Sequence, residues 1–300
     1  MHASRLWVIS MLLVVGGCGE RNALPLDALV ADAGHGDAPL AVDAPAGDAD
    51  PVTLDRGGGG FVYHGTIELG EGVDPRINSP GWVVARVGFA TAFYESAFSA
   101  SLTAGACRFG EMVPPPPAIT IFEDAGPVQV SGGVQTLSFT YSSDDYYASS
   151  VAPGTYSLFE AGQTLSASAA GGPTLPAFSA SVPAPASLVV KSPDLMQMTT
   201  TLSTTADYAV TWTPSSADRV RVVIRCPGPG GERRVECDSS DDGQLVLPAA
   251  VLKALAPHCT ASMAAEADFI RLNERHVEQG ELRVTLSAST LVRGGLVFTP

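Results

Sequence analysis

The chain has 300 residues, a formal net charge of −14 and a sequence pI of about 4.6. So acidic a surface repels phosphate backbones, which argues against a nucleic-acid partner. Hydrophobic residues make up 45% of the chain and charged residues only 16%, a balance that indicates an exported, β-rich protein with room for two ordinary domains.

The first stretch of the chain has the features of a secretory signal. A short basic head precedes an apolar run from Leu6 to Val15, which is too short to span a bilayer. Val15-Gly16-Gly17-Cys18 resembles the lipobox of bacterial lipoproteins. The resemblance implies a signal peptide at 1–17, acylation of Cys18 and, because Gly19 follows rather than Asp, anchoring in the outer membrane. The alternative is an ordinary secretory signal with a chance cysteine.

Residues 18–60 form an Ala-, Asp-, Gly- and Pro-rich segment without aromatic residues. Such a composition buries too little apolar surface to offset the entropy of ordering the chain. Its repeated aspartates repel one another and extend the segment, and Gly57–Gly60 supplies a flexible end. We therefore predict a disordered acidic tether between the lipid anchor and a folded body.

Residues 61–186 are divided by turn residues every eight to twelve positions, the rhythm of an antiparallel sandwich. Four consecutive prolines, Pro114–Pro117, mark a connection between strands. The predicted strands are Phe61–Leu69, Trp82–Thr91, Ala97–Thr103, Ala118–Phe122, Val128–Ser131, Thr136–Tyr141, Thr155–Phe159, Thr164–Ala169 and Ala177–Val182.

Three segments near the end of this region carry a resemblance to a family. Gly162-Gln163-Thr164-Leu165, Leu175-Pro176-Ala177-Phe178 and Val182-Pro183-Ala184-Pro185 resemble segments of uncharacterised outer-membrane lipoproteins of the myxobacterial type. In those proteins, too, an acidic tether precedes an all-β body. The resemblance implies this layout and no particular activity.

Residues 187–300 contain a second pattern of strands. The segments Tyr208–Pro214 and Asp218–Arg225 resemble the second and third strands of an immunoglobulin-like or fibronectin-type-III-like domain. The resemblance implies that Trp212 is the core tryptophan. It also places Val220, Val222, Ile224 and Cys226 inside, with the alternating arginines outside.

The last part of the chain holds the clearest helix, Pro248–Leu255, which has proline in its first turn, an apolar stripe and Pro257 as a stop. Met263–Gln279 has a helical composition but an alternating apolar pattern, which favours a strand. A final strand begins at Leu282 and alternates cleanly. Together the elements predict an all-β protein with two antiparallel β-sandwich-like domains in tandem, 61–186 and 187–300, and one short helix in the second domain.

Four cysteines remain once Cys18 is assigned to the lipid, and four cysteines allow three pairings. Cys226 and Cys237 end two strands that flank a Pro/Gly-rich turn, so the sequence predicts a Cys226–Cys237 bridge across a hairpin. The competing pairing is Cys237–Cys259. With the predicted Cys226–Cys237 bridge in place, Cys107 would be a buried thiol or would bridge to Cys259.

No motif for phosphate binding, nucleophilic catalysis or a zinc site occurs, and no cofactor is expected. Asp238, Asp241 and Asp242 form a weak calcium candidate, because Ca²⁺ needs six to eight oxygen ligands. A solvated acidic turn is the favoured interpretation. The paired Tyr146 and Tyr147 could stack on a sugar or a partner, but they more often cover the edge of their own core.

Two classes of function are consistent with these features. The favoured class is a lipid-anchored envelope protein that is a non-enzymatic interaction or structural module, with a protein or glycan partner. The alternative is a secreted hydrolase or carbohydrate-binding protein whose site is built across loops and shows a deep pocket.

Overall fold

The computed structural model describes residues 63–77, 81–90, 97–113, 122–142, 147–149, 151, 154–228, 231–259 and 264–300. The predicted signal peptide, the lipidation site Cys18 and the tether lie outside the described residues. Among the described residues, no helix combines the length and apolar character that a membrane span requires.

The described residues are mostly strands, which confirms the all-β prediction. The strands are β1 (Tyr63–Val73), β2 (Trp82–Ala90), β3 (Ala97–Ala104), β4 (Cys107–Val113), β5 (Val128–Ser131), β6 (Leu137–Tyr141), β7 (Tyr147–Ser149), β8 (Thr164–Ala169), β9 (Phe178–Pro183), β10 (Val190–Ser192), β11 (Thr200–Ser203), β12 (Tyr208–Trp212), β13 (Arg219–Gly228), β14 (Gly231–Ser239), β15 (Gln244–Leu247), β16 (Ala265–Gln279) and β17 (Leu282–Thr299). One helix, α1 (Ala249–Leu255), continues into a 3-10 turn at Ala256–His258.

The strands form one large and two small sheets. The nine-stranded sheet has the order β2-β1-β17-β16-β13-β14-β4-β3, and β11 pairs with the end of β17. The five-stranded sheet has the order β7-β6-β5-β8-β9, and the three-stranded sheet the order β10-β12-β15. Most pairs are antiparallel, but β1 runs parallel to β17 from Tyr63–Leu282 to Val73–Val292.

The predicted division into tandem domains at 186/187 is wrong, because the large sheet crosses it. β1 pairs with β17, and β4 pairs with β14, so strands from both predicted domains share one sheet. The described residues from Tyr63 onward form one compact unit. Local alternation predicts strands but carries no information on pairing between distant strands, which explains the error.

Two hydrophobic cores lie side by side on the inner face of the large sheet. The first lies between the five-stranded sheet and β1, β2 and the first half of β17, and includes Ile67, Phe89 and Phe139. The second lies between β13, β14 and the first half of β16 on one side and the three-stranded sheet and α1 on the other. Trp212 and Leu252 are fully packed there. The fold is therefore a sandwich in which one long sheet carries both cores.

Most predicted strands are present, with some differences. β4, β7, β10 and β11 were not predicted. Ala118–Phe122 lies outside the described residues except for Phe122, which bridges to Ala90. Residues 155–159 are not a strand. Instead, the inward carboxylate of Glu71 accepts hydrogen bonds from the backbone N–H groups of Leu158 and Phe159 and from the Ser157 hydroxyl, 3.0 Å away. This carboxylate satisfies the backbone donors that strand pairing would otherwise use.

The helix and the last two strands agree with the sequence prediction. α1 begins after Pro248, and its stripe of Val251, Leu252 and Leu255 is buried. The ambiguous segment is the strand β16, whose alternate residues Ala265, Ala267 and Phe269 enter the second core.

The predicted Cys226–Cys237 disulfide is wrong. The bonds are Cys107–Cys237 and Cys226–Cys259, so Cys237–Cys259 and a free Cys107 thiol are excluded as well. The β13–β14 pairing continues past Cys226 to Gly228 and Gly231, further along both strands than the prediction assumed. This register places Arg233 opposite Cys226, and it places Cys237 between Val222 and Cys107.

Candidate binding groove on the outer sheet face

The outer face of the large sheet carries short polar side chains at its centre. Both small sheets and α1 pack on the inner face, so every second residue of β17 points away from the cores. In the middle of the strand these residues are Thr285, Ser287 and Ser289, and all three are half-buried. We call them the hydroxyl ladder.

Longer side chains on β1 and β16 flank the ladder, except at Gly70. The register places Glu68 on one side of Ser287 and Glu274 on the other. It places Gly70 and Leu272 on either side of Ser289. Because the central side chains are small, a groove of about 290 Å³ lies between the flanking residues of β1 and β16. We call it the sheet groove; its lining is Glu68, Leu69, Gly70, Glu71, Trp82, Val84, Arg219, Arg221, Ile270, Leu272, Glu274, Ser287, Ser289 and Leu291.

Trp82 forms one end of the sheet groove, and Gly72 makes its position possible. Gly72 lies directly opposite Trp82, and a Cβ atom on Gly72 would come within 2.4 Å of the Trp82 Cε2 atom. The indole ring therefore lies over the glycine. The guanidinium of Arg293 lies 5.2 Å from the ring centroid and fixes the ring from a second direction.

The arginines of the groove are held in ion pairs. The Arg219 Nη2 atom lies 3.2 Å from Glu274 Oε2, and the Arg221 Nε atom lies 2.8 Å from Asp238 Oδ1. Glu68 is exposed, with Arg86 directly opposite it on β2, and no ion pair within 4 Å joins these two described residues. The groove is therefore nearly charge-balanced, with one carboxylate available to a ligand.

His276 lies beyond the Ser287 end of the groove and connects two polar groups. Its Nδ1 lies 3.0 Å from the Thr285 Oγ1 and its Nε2 lies 3.2 Å from the Glu274 Oε1. A hydroxyl, an imidazole and a carboxylate also make up a hydrolytic triad, but hydrolysis further needs donors for the developing oxyanion. Thr285 lies on a strand that is paired on both sides, opposite Thr66 and His276. The nearby backbone N–H groups therefore donate within the sheet and are not available to stabilise an oxyanion. The cluster supports hydrogen bonding to a ligand rather than acyl transfer.

A larger depression, about 400 Å³, lies beside Arg225 and Glu266. Its arginine is committed to the buried Asp268, at 2.7 Å, and Asp268 also binds Arg293, at 2.7 Å. The rim includes Pro227 and Ala264, which are close in sequence to undescribed residues. The sheet groove is the better-defined site.

The three aspartates of the calcium candidate do not converge. Asp238 pairs with Arg221, Asp241 is buried and binds Trp212 and Arg271, and Asp242 accepts from the backbone N–H of Gln244 at 3.2 Å. Within the described part of the chain, no group of three or more His, Cys, Asp or Glu residues is placed to hold a metal ion. These carboxylates therefore form ion pairs and hydrogen bonds within the protein.

Arg271 is the buried polar centre that the sequence analysis missed. It is 1% exposed, and its Nη2 and Nε each lie 3.0 Å from an oxygen of Asp241. Its guanidinium also donates to the backbone carbonyls of Ser187, at 2.9 Å, and Thr213. Asp241 in turn accepts from the Trp212 Nε1 at 2.8 Å. This network fastens two connecting segments to β16.

Tyr147 belongs to the first core, while Tyr146 lies outside the described residues. Tyr147 is 8% exposed, and its hydroxyl accepts from the Ala125 N–H at 2.7 Å and donates to the Gly126 carbonyl at 3.2 Å. It therefore covers its own core and is not an exposed binding residue.

Tyr147→Phe is expected to lower the free energy of unfolding at pH 7 by about 1–2 kcal/mol, because it leaves a backbone N–H without its acceptor. Burial raises the pKa of the Tyr147 phenol from 10.0 to about 12. Its contribution is therefore full below pH 10 and is lost as the pH rises through about 12. Denaturant unfolding from pH 7 to 12 measures both effects, with the half-exposed Tyr156→Phe as control. Equal curves for the two variants would contradict this assignment.

Comparison with models of protein families, with curated proteins and with solved structures finds no match to this chain.

Proposed function

We propose that this chain is a lipid-anchored protein of the bacterial outer membrane that binds a ligand in the sheet groove and does not catalyse a reaction. Acylated Cys18 is its membrane contact, and residues 18–60 are the tether that holds the body away from the lipid. The proposal includes no cofactor and no nucleic-acid partner, because the chain is strongly acidic and the groove arginines are ion-paired.

One observation carries the binding function: a groove with a hydroxyl floor on the sheet face that the cores do not use. The stability of the sheet does not require small hydroxyl residues flanked by longer side chains. Strand exteriors of a purely structural sheet favour larger β-branched or aromatic residues. The groove is also preformed, so a ligand would need little ordering of the protein.

The alternative hydrolase has less support. A hydrolase needs convergent catalytic groups and oxyanion donors in a pocket that excludes water. The His276 cluster offers a hydroxyl and a carboxylate, but it lies on a regular, hydrogen-bonded sheet. The groove is therefore better suited to binding than to hydrolysis.

The anchor is tested by Cys18→Ser, which removes the thiol that the lipobox resemblance assigns to the thioether-linked lipid. We expect the variant to accumulate as an uncleaved or mislocalised precursor and to incorporate no labelled fatty acid. Cell fractionation and metabolic labelling measure this. Continued labelling and outer-membrane fractionation of the variant would refute the lipobox assignment.

Binding is tested with a substitution that fills the groove. Ser287→Phe places a large ring between Glu68 and Glu274, and we expect it to weaken binding of the full-length protein to envelope fragments of the producing cells by about tenfold or more. Biolayer interferometry in detergent measures the affinity.

The matched control is Ser168→Phe, a serine that is exposed on the five-stranded sheet. We expect this variant to bind as the unmodified protein does. Unchanged binding by Ser287→Phe, or equal losses in both variants, would mean that the groove is not the binding site.

A further inference from the structure

We infer that the ligand of the sheet groove is an uncharged carbohydrate chain. This inference rests on the function proposed above and adds the chemical class of the ligand. It follows from what the groove offers: side-chain hydroxyls, the Glu68 carboxylate, small apolar surfaces and backbone groups that are already paired within the sheet.

The position of the groove limits how a ligand can be held. β17 is paired along the groove with β1 on one side and β16 on the other, so its backbone donors and acceptors are used within the sheet. A peptide cannot add to the sheet here, because strand addition needs an unpaired edge. Recognition must therefore be made by side chains.

The polar side chains match the hydroxyl groups of a sugar. The Ser289 hydroxyl can donate and accept a hydrogen bond, and the Glu68 carboxylate accepts. The Ser287 hydroxyl donates to the Ile67 carbonyl at 3.5 Å and can accept from a ligand. These groups lie in one plane along the groove, because they belong to neighbouring rows of the same sheet face. A ligand with donors and acceptors along its length can pair with all of them.

Apolar side chains line both sides of the groove and match the C–H surface of a sugar ring. Val84 and Trp82 lie on the β2 side, and Ile270 and Leu272 lie on the β16 side. From Ser287 to Leu291 the groove extends about 13 Å, at about 3.3 Å a residue, which is long enough for more than one sugar unit. Alternating polar and apolar surface along a channel suits a chain molecule.

The charges favour an uncharged ligand over an acidic one. Both groove guanidiniums already bind carboxylates, Arg219 at 3.2 Å and Arg221 at 2.8 Å. Within the groove, a ligand carboxylate or sulfate would have to displace one of these pairs and would meet the exposed Glu68, because Arg86, opposite Glu68 on β2, is not among the lining residues. An uncharged hydroxyl ligand needs neither change.

The test uses the full-length protein, Ser287→Phe and the control Ser168→Phe. The probes are the envelope fragments above, either untreated, oxidised with periodate or digested with protease, and an array of uncharged and uronate-bearing oligosaccharides. Periodate cleaves the vicinal diols of sugars. We expect it to abolish binding, while protease digestion leaves binding intact. On the array we expect retention by uncharged members, weakened about tenfold or more by Ser287→Phe.

The outcomes separate the two proposals. Binding that survives periodate, is lost after protease and is still weakened by Ser287→Phe overturns the carbohydrate inference and leaves the proposed function standing. Retention by uronate-bearing members alone, or by no member of the array, overturns the inference as well. If Ser287→Phe binds every probe as the unmodified protein does, both proposals fail.

Discussion

Arg271→Met is expected to lower the free energy of unfolding by about 3–5 kcal/mol, the usual cost of removing one partner of a buried ion pair. The substitution leaves the Asp241 carboxylate, in a residue 7% exposed, without its cation. It also leaves the carbonyl of Ser187 without the donor that lies 2.9 Å away. Denaturant unfolding of the full-length protein measures the loss, provided that the slope of the transition is unchanged.

The control for this prediction is Arg283→Met on the same sheet. Arg283 is half-buried on the outer face of β17, opposite His64 and Glu278, and it takes part in none of the ion pairs found among the described residues. We expect a change within about 0.5 kcal/mol there, as at ordinary surface positions. Adding Asp241→Asn to Arg271→Met should recover part of the loss, because the unpaired charge is removed. A loss below about 1 kcal/mol for Arg271→Met would show that the network does not hold the connecting segments.

The sequence predicted those features that depend on neighbouring residues. Alternation in β13 correctly placed Val220, Val222 and Ile224 inside, where each is fully buried. Proline and the apolar stripe located α1 to within one residue. Hydrophobic period and turn chemistry are local signals, so they can be detected without knowledge of the partner strands.

The features that the sequence did not predict depend on pairing between distant strands. β1 lies beside β17, and β4 lies beside β14, and no local pattern reports either contact. The sheet groove has the same origin. The alternation of β17 places Ser287 and Ser289 on the polar face, but the residues that flank them belong to β1 and β16. The groove could therefore be recognised only once the sheet order was known.

The disulfide pairing leads to a prediction that compares two loops. Cys107–Cys237 joins residues 130 apart in sequence, and Cys226–Cys259 joins residues 33 apart. The chain-entropy model gives about 5 kcal/mol for the first bond and about 3.7 kcal/mol for the second. We therefore expect Cys107→Ala/Cys237→Ala to destabilise the protein more than Cys226→Ala/Cys259→Ala does. Denaturant unfolding without reductant measures both losses.

Peptide mapping of the oxidised protein is the companion experiment, because it tests the pairing independently of stability. We expect one linked pair of peptides with residues 107 and 237 and another with residues 226 and 259. A peptide pair linking 226 to 237 would contradict the hairpin register, in which Cys226 faces Arg233. If the pairing is correct but the two losses are equal, loop length does not set the contribution. Local packing would then dominate: Cys107 and Cys237, which join β4 to β14, are fully buried, whereas Cys259 is only partly buried.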